Sequence, residues 1–390
     1  MLFAVAKGQT NIVPNGNFEA YDTCPSTVSQ ITRALPWFQP NQPSNYYSSS
    51  TDYYNSCSGP GASNVPSNAF GYQISHSGQA YGGFSAVQWP NDSAGREYLE
   101  VQLNQQLVSG KKYCGSAYLS LANLSGMGTS AIGMYFSLDS LIYYSTNYNT
   151  IHATPQVRVP YDSLIIDTIN WKLMKGIFAA SGGENFVTIG GFWNPPQINY
   201  ACIGSPCAGA YYYIDDVSVV ELPDLSAGSD SMIIAGDSVQ LNGSCSQIWP
   251  GMTFEWLPHN GIADPYSLVT TASPSSTTTY TLTVSCPTCN VPCLSDMSDS
   301  VIISIDGIFS SAQTQLHIPT LFTSDQVFQI GELQPKTSVM ISDMSGRRIY
   351  CNENYTNDYS LSSLDDGIYF YNILLPSGEM CAGKFVMVRE

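Results

Sequence analysis

Three kinds of side chain in this sequence could do chemistry: aromatic rings in turn-rich stretches, carboxylates and histidines, and cysteines. Sugars stack their C–H faces on exposed rings, while amides and hydroxyls pair with their OH groups. Trp37-Phe38-Gln39, Tyr46-Tyr47, Tyr53-Tyr54, Trp89 with Asn91-Asp92, Tyr143-Tyr144 and Trp193-Asn194 offer that combination. Trp89 and Trp193 lead the set, because each sits among turn residues outside any clear alternation; Trp37, Tyr46 and Tyr143 complete it. The competing reading of any single ring is that it fills a sandwich or a loop.

Catalysis has less support. His76, His152, His259 and His317 are isolated, and the sequence has no H-E-x-x-H, no Gly-x-Ser-x-Gly elbow and no phosphate-binding loop. Glycoside hydrolysis needs two carboxylates roughly 5 to 10 Å apart in a cleft. The N-terminal region has few glutamates (Glu19, Glu97, Glu100, Glu184), and Glu97 beside Arg96 reads as a surface ion pair. No residue is assigned a catalytic role. An enzyme here would require a cleft carboxylate pair with raised pKa.

The chain holds 11 cysteines without metal-type Cys/His spacing, which favours an oxidising compartment. Neighbourhood pairs Cys24 with Cys57, Cys202 with Cys207, Cys245 with Cys286, Cys289 with Cys293, and Cys351 with Cys381, leaving Cys114 as a buried thiol. The Cys286, Cys289, Cys293 group could be wired otherwise, or hold zinc, although no histidine lies near it.

Bulk properties narrow the class. A length of 390 residues allows two to four domains, and 43% hydrophobic content supplies ample core. Charged residues make up 11%, and a net charge of −17 cannot neutralise a row of phosphates, so nucleic acid is excluded as a partner. No apolar run approaches the roughly 20 residues of a membrane-spanning helix. Residues 1–9 read as the remnant of a secretory signal peptide, with a genuine cytoplasmic start as the alternative.

The elements that must position these residues are strands. Leu99, Val101 and Leu103 alternate with Glu100, Gln102 and Asn104; Ile132, Met134 and Phe136 repeat the pattern; Tyr211 to Val220 is one long apolar strand. Asn11-Ile-Val-Pro-Asn-Gly-Asn-Phe-Glu19, Tyr213-Ile-Asp-Asp-Val-Ser-Val219 and the block from Trp171 through Phe178, Glu184 and Ile189-Gly190-Gly191-Phe192 resemble the strands of galactose-binding-like jelly rolls, over residues 10–222. Gly236-Asp237-Ser-Val-Gln-Leu241, Trp256-Leu-Pro258, Gly261 with Asp264-Pro265, and Thr277 to Val284 resemble a PKD or immunoglobulin-like module over 223–306. In 307–390, Asp343-x-x-Gly346-Arg347, Leu364-x-x-Gly367-Ile368-Tyr369 and Gly378 with Lys384 and Val386 resemble the C-terminal sorting domain of type IX secretion cargo in Bacteroidota. There Tyr369, Tyr371 and Ile373 share one face of a strand and Ile368, Phe370 and Leu374 the other, with a turn at Pro376-Ser377-Gly378. The expected fold is all-β: a jelly-roll β-sandwich, an immunoglobulin-like sandwich and a small C-terminal β-sandwich.

These resemblances imply further sites. In jelly-roll binding modules a first-strand carboxylate meets one in the last strand around structural Ca²⁺; Glu19 and the pair Asp215-Asp216 occupy those positions, with a solvated strand edge as the alternative. Because neighbours in a strand point to opposite faces, one of the two aspartates is expected to reach the ion. Asp-(Ser/Thr)-apolar triplets place Ser93, Ser140, Ser163, Thr168, Ser231, Ser238 and Ser300 in contexts similar to the Bacteroidota O-glycosylation sequon, although Asp-Ser is also common turn chemistry. The implied protein is a secreted or surface-displayed, non-enzymatic glycan-binding adhesin. Its partners are the type IX outer-membrane export machinery and a polysaccharide or cell-surface glycan. The alternative is a self-associating subunit of an extracellular fibre or sheath.

Overall fold

The computed structural model describes residues 10–43, 50–87, 96–141, 143–145, 151–192, 198–234, 236–306, 318–331, 333–378 and 380–389. Residues 1–9, Tyr46, Trp89, Ser93 and Trp193 lie outside the described residues, as does the side chain of Tyr143. The fold is all-β; among the described residues, helix is confined to short 3₁₀ turns such as Ile31–Arg33 and Leu361–Ser363.

The first unit is a sandwich of two antiparallel sheets. One runs Lys172–Ala179, Lys112–Leu121, Ala210–Glu221, Ala80–Val87, Asp52–Asn55; the other runs Val157–Arg158, Ile132–Ser137, Phe186–Gly191, Tyr98–Gln102. Leu99, Val101, Met134, Ile189 and Tyr212 pack between them. The run Tyr211-Tyr212-Tyr213 obeys the period of two: Tyr212 enters this core, while its neighbours enter a second cluster with Tyr54 and Tyr81. Segments from the loops, carrying Val65, Phe70 and Trp171, cover that second cluster. Both faces of the sheet are therefore covered around its Ala80–Val87 strand, which has no exposed position.

In the four-stranded sheet, Glu100 breaks the simple alternation, being 0% exposed. Thr188 Oγ1 donates to it at 2.6 Å and Ser140 Oγ donates to its other oxygen, so the carboxyl is satisfied inside the sheet. Tyr53 and Tyr54 are likewise strand residues with 0% exposure, not loop rings.

In the second unit, Ser231–Ile234, Ser298–Asp306, Thr278–Ser285 and Thr253–Leu257 form one sheet, and Val239–Asn242 pairs with Val269–Ala272 opposite. Trp256 is wholly buried between them, with Nε1 donating to Ser267 O at 3.0 Å. This core continues into the first unit through Val220 and Leu222. Lys175 Nζ lies 2.7 Å from Asp296, and Lys111 Nζ 2.6 Å from Asp224.

The third unit is a five-stranded sheet in the order Leu321–Thr323, Met380–Val388, Gly367–Leu374, Ser338–Asp343, Arg348–Asn352. Its core face carries Tyr369, Ile373, Phe385 and Met387 beneath Phe328, Tyr355 and Leu361 from the connecting segments. Ile368, Phe370 and Leu374 point away, as the alternation predicts. Asp343 makes the Gly346-Arg347 turn: its Oδ1 accepts from Ser345 N and Arg347 N at 3.0 Å each, and Arg347 Nε lies 2.9 Å from Oδ2.

The disulfides correct the expected pairing. Cys24–Cys57 and Cys202–Cys207 form as expected, but Cys114 bonds Cys293 and Cys286 bonds Cys289. Cys245 and Cys351 form no disulfide. Cys114 is therefore no odd thiol; its strand runs beside the second unit, a nearness that sequence distance hides. Cys351 and Cys381 occupy strands separated by two others. Three strand spacings amount to roughly 14 Å, well beyond the reach of a disulfide.

Candidate functional site: an aromatic groove beside a clamped loop

The Ala210–Glu221 strand carries a bulge between Asp215 and Ser218, with Asp216 at φ +48°. A bulge re-aims side chains that regular pleating would send to opposite faces. Both aspartates consequently reach one loop, residues 75–80, against the expectation that they diverge. Asp215 Oδ2 accepts from His76 N at 2.9 Å and Ser77 N at 3.1 Å. Asp216 Oδ1 accepts from Ser77 Oγ at 2.7 Å, and its Oδ2 lies 2.5 Å from His76 Nδ1. Glu19 closes the other end: its Oε1 accepts from Gln79 N at 2.7 Å and Ala80 N at 2.9 Å. Gly78 is obligatory here, because its φ is +58° and an added Cβ would sit 2.2 Å from Glu19 Oε1.

The three residues expected to bind calcium thus converge, but on N–H and O–H donors. Among the described residues no three His, Cys, Asp or Glu side chains form a metal-ligating group. The arrangement clamps the loop. Nor is Glu19 in a strand: residues 10–20 are coil and turn, tied to the last strand through Ile12 N to Val219 O at 2.9 Å. Burial, followed by the charge of Asp216, pushes the Asp215 carboxyl up to about 8.

The clamped loop forms one wall of a groove of about 420 Å³, also lined by Tyr72, Gln73, Asn123, Ile169 and Trp171. The His76 ring stacks on Tyr118 with centroids 3.6 Å apart, and Trp171 meets His76 edge-on at 6.1 Å. Trp171 Nε1 donates to Ile74 O at 2.9 Å, which fixes the indole. Tyr72 is 55% exposed and Ile169 77%. Asn123 braces the groove floor, accepting from Tyr72 N at 2.6 Å and donating to Thr168 O at 3.3 Å. Gly71, at φ +141°, allows that approach, since a Cβ there would lie 2.3 Å from Asn123 Oδ1.

A second cavity, of about 300 Å³, is lined by Asp52, Phe70, Ser85, Glu97, Ser125 and Tyr211, among others. Glu97 is thereby corrected: Arg96 is fully buried with Nη1 donating to Gly191 O at 3.0 Å, while Glu97 accepts from Ser85 N at 2.8 Å. Asp52 accepts from Ser29 N, from Tyr54 OH at 3.0 Å and from Tyr211 OH. Burial pushes Asp52 up to about 6; burial and then the charge of Asp52 push Glu97 up to about 8. A pair of raised carboxyls does exist, then. Asp52, however, is 2% exposed and engages three donors, so it is held as an anion rather than presented as a nucleophile.

Among the other expected ligand residues, Trp37 is a core residue, 1% exposed, stacked on Phe18 at 5.1 Å with Nε1 donating to Asn15 O. Of the modification candidates, Ser163, Ser238 and Ser300 are exposed, Thr168 and Ser231 are half-buried, and the Ser140 hydroxyl is spent on Glu100. Sequence reading missed Tyr72, His76 and Trp171 as a set. Gly71 before Tyr72 and the Ser-His-Ser-Gly turn were the available signals.

No family model matches the chain, and no curated protein matches it. Solved structures that it resembles include the K2 cleaved adhesin domain of Lys-gingipain, at 8% identity and TM-score 0.27, covering 54% of this chain and 99% of that one. The K3 domain of Lys-gingipain from Porphyromonas gingivalis aligns at 10% identity and TM-score 0.23, over 44% and 91% of the two chains. The Clostridium thermocellum xylanase 10B CBM22-1–GH10 modules complexed with xylohexaose align at 10% and 0.28, over 59% and 34%. Likenesses this loose assign no family.

Proposed function

We propose that this protein is a non-enzymatic, glycan-binding adhesive protein that works outside the cell. The observation that carries the reading is the groove in which Tyr72 and Trp171 present ring surface beside His76, Gln73 and Asn123. A pyranose offers C–H faces to such rings and hydroxyls to such amides. Four disulfides support an oxidising destination, and among the described residues no helix is long and apolar enough to cross a membrane. On this reading the third unit is the sorting domain that engages the type IX export machinery, and exposed Ser163, Ser238 and Ser300 are the hydroxyls open to O-glycosylation. A polysaccharide pull-down with wild type and Tyr72→Ala tests the binding claim; equal retention of both would remove the groove from it.

A second reading, self-association into a fibre, draws on the apolar outer face of the third sheet. Ile368, Phe370, Leu374, Met380 and Val386 are all at least 36% exposed there. Regular polymers in negative stain, without sugar preference, would favour it.

A further inference from the structure

The cavity containing Asp52 and Glu97 is distinct from the aromatic groove and plays no part in the clamp. Its walls combine four features. Two carboxyls share it, and none of the described residues lining it is basic. Phe70 and Tyr211 stack at 3.8 Å to make an aromatic side. Ser29 and Ser85 bring hydroxyls to the lining, while the Ser125 hydroxyl is tied to the Tyr211 backbone. Ser50 Oγ, in the same wall, faces the Glu97 carboxyl.

Asp52 remains the anion because Tyr54, Tyr211 and the Ser29 N–H hold its charge, whereas Glu97 receives the Ser85 N–H and the Ser50 hydroxyl. Burying such a pair without a counter-charge is costly, and a cation in the cavity relieves that cost. A bare metal ion leaves most of about 300 Å³ unused and has no use for the aromatic side. A lysine-like alkylamine uses the charge but not the serines.

We propose that this cavity binds an amino sugar with a free, protonated amine, the ammonium lying between Glu97 and Asp52 and the ring hydroxyls facing the serines. The site is independent of the groove, so it stands or falls separately from the glycan-binding reading.

The test is calorimetric titration of the full chain at pH 7 with glucosamine, N-acetylglucosamine, cadaverine and calcium chloride. Glucosamine is expected to bind at least about tenfold more tightly than N-acetylglucosamine, since acetylation removes the charge. It should also exceed cadaverine, which lacks hydroxyls. Glu97→Gln should weaken glucosamine about tenfold while the exposed change Ile234→Ser in the second unit leaves it unchanged. Equal or tighter binding of N-acetylglucosamine, cadaverine or calcium, or no binding of glucosamine to the wild type, would overturn the proposal. The wild-type comparison alone decides it if Glu97→Gln does not fold.

Discussion

Asp216 and His76 lie 140 residues apart in sequence, yet Asp216 Oδ2 sits 2.5 Å from His76 Nδ1, and the imidazole so held stacks on Tyr118. One bulge in the Ala210–Glu221 strand thus fixes a ring that lines the groove. Asp216→Ala removes the partner of both His76 and Ser77. The pair is partly exposed, so the expected loss of stability is modest, about 1 kcal/mol. The loss of glycan affinity should be larger than that of a remote surface change. Thermal melting and glycan titration of the same variant check both; unchanged affinity would detach the clamp from the groove.

Asp215 gives a pH signature. Its carboxyl is pushed up from 3.8 to about 8 in the folded chain, by burial first and Asp216 second, against the three N–H donors that favour its anion. A group raised on folding stabilises fully below its unfolded pKa and loses that contribution as pH climbs through the folded value. Stability should therefore decline between about pH 4 and 8, and Asp215→Asn should flatten the decline. Melting temperatures across that range for the two proteins decide it; parallel curves would contradict the shift.

Metal removal should do nothing at the clamp. Glu19, Asp215 and Asp216 accept protons from residues 76–80, so chelation by EDTA is expected to leave the melting temperature in place. A drop of several degrees, restored by calcium, would show that these carboxylates hold the ion after all.

The Cys114–Cys293 bridge closes a span of 179 residues and ties the first unit to the second. Replacing both cysteines by serine should cost about 2 to 5 kcal/mol. Limited proteolysis should then cut between the units, near residue 223. Mass mapping that finds Cys114 as a free thiol would contradict the pairing.

Much of this fold was legible in the sequence because period-two patterning needs no knowledge of distant partners. The faces of Gly367–Leu374, the Asp343 turn and the Cys24–Cys57 bridge all follow from local residues. Pattern failed where a strand is covered on both sides. Glu100 reads as outward because alternation assumes one wet face, whereas the segment carrying Ser140 covers it. It failed again at Asp215-Asp216, where a bulge overrides the pleat, and at Cys114, whose partner is in another unit. Asp52 within Thr51-Asp52-Tyr53-Tyr54, a carboxylate in a buried aromatic strand, was the unused clue to the second cavity.

The central claim is that the Tyr72–Trp171 groove holds a glycan. The most direct measurement is a glycan array probed with the intact protein and repeated with Tyr72→Ala and with Trp171→Phe, each checked for an unchanged circular dichroism spectrum. The account predicts a defined set of bound glycans for the wild type, signal lost for Tyr72→Ala and weakened for Trp171→Phe, with no change from an exposed substitution such as Ile234→Ser in the second unit. A wild-type pattern that survives in both groove variants, or an array that stays blank, would contradict it.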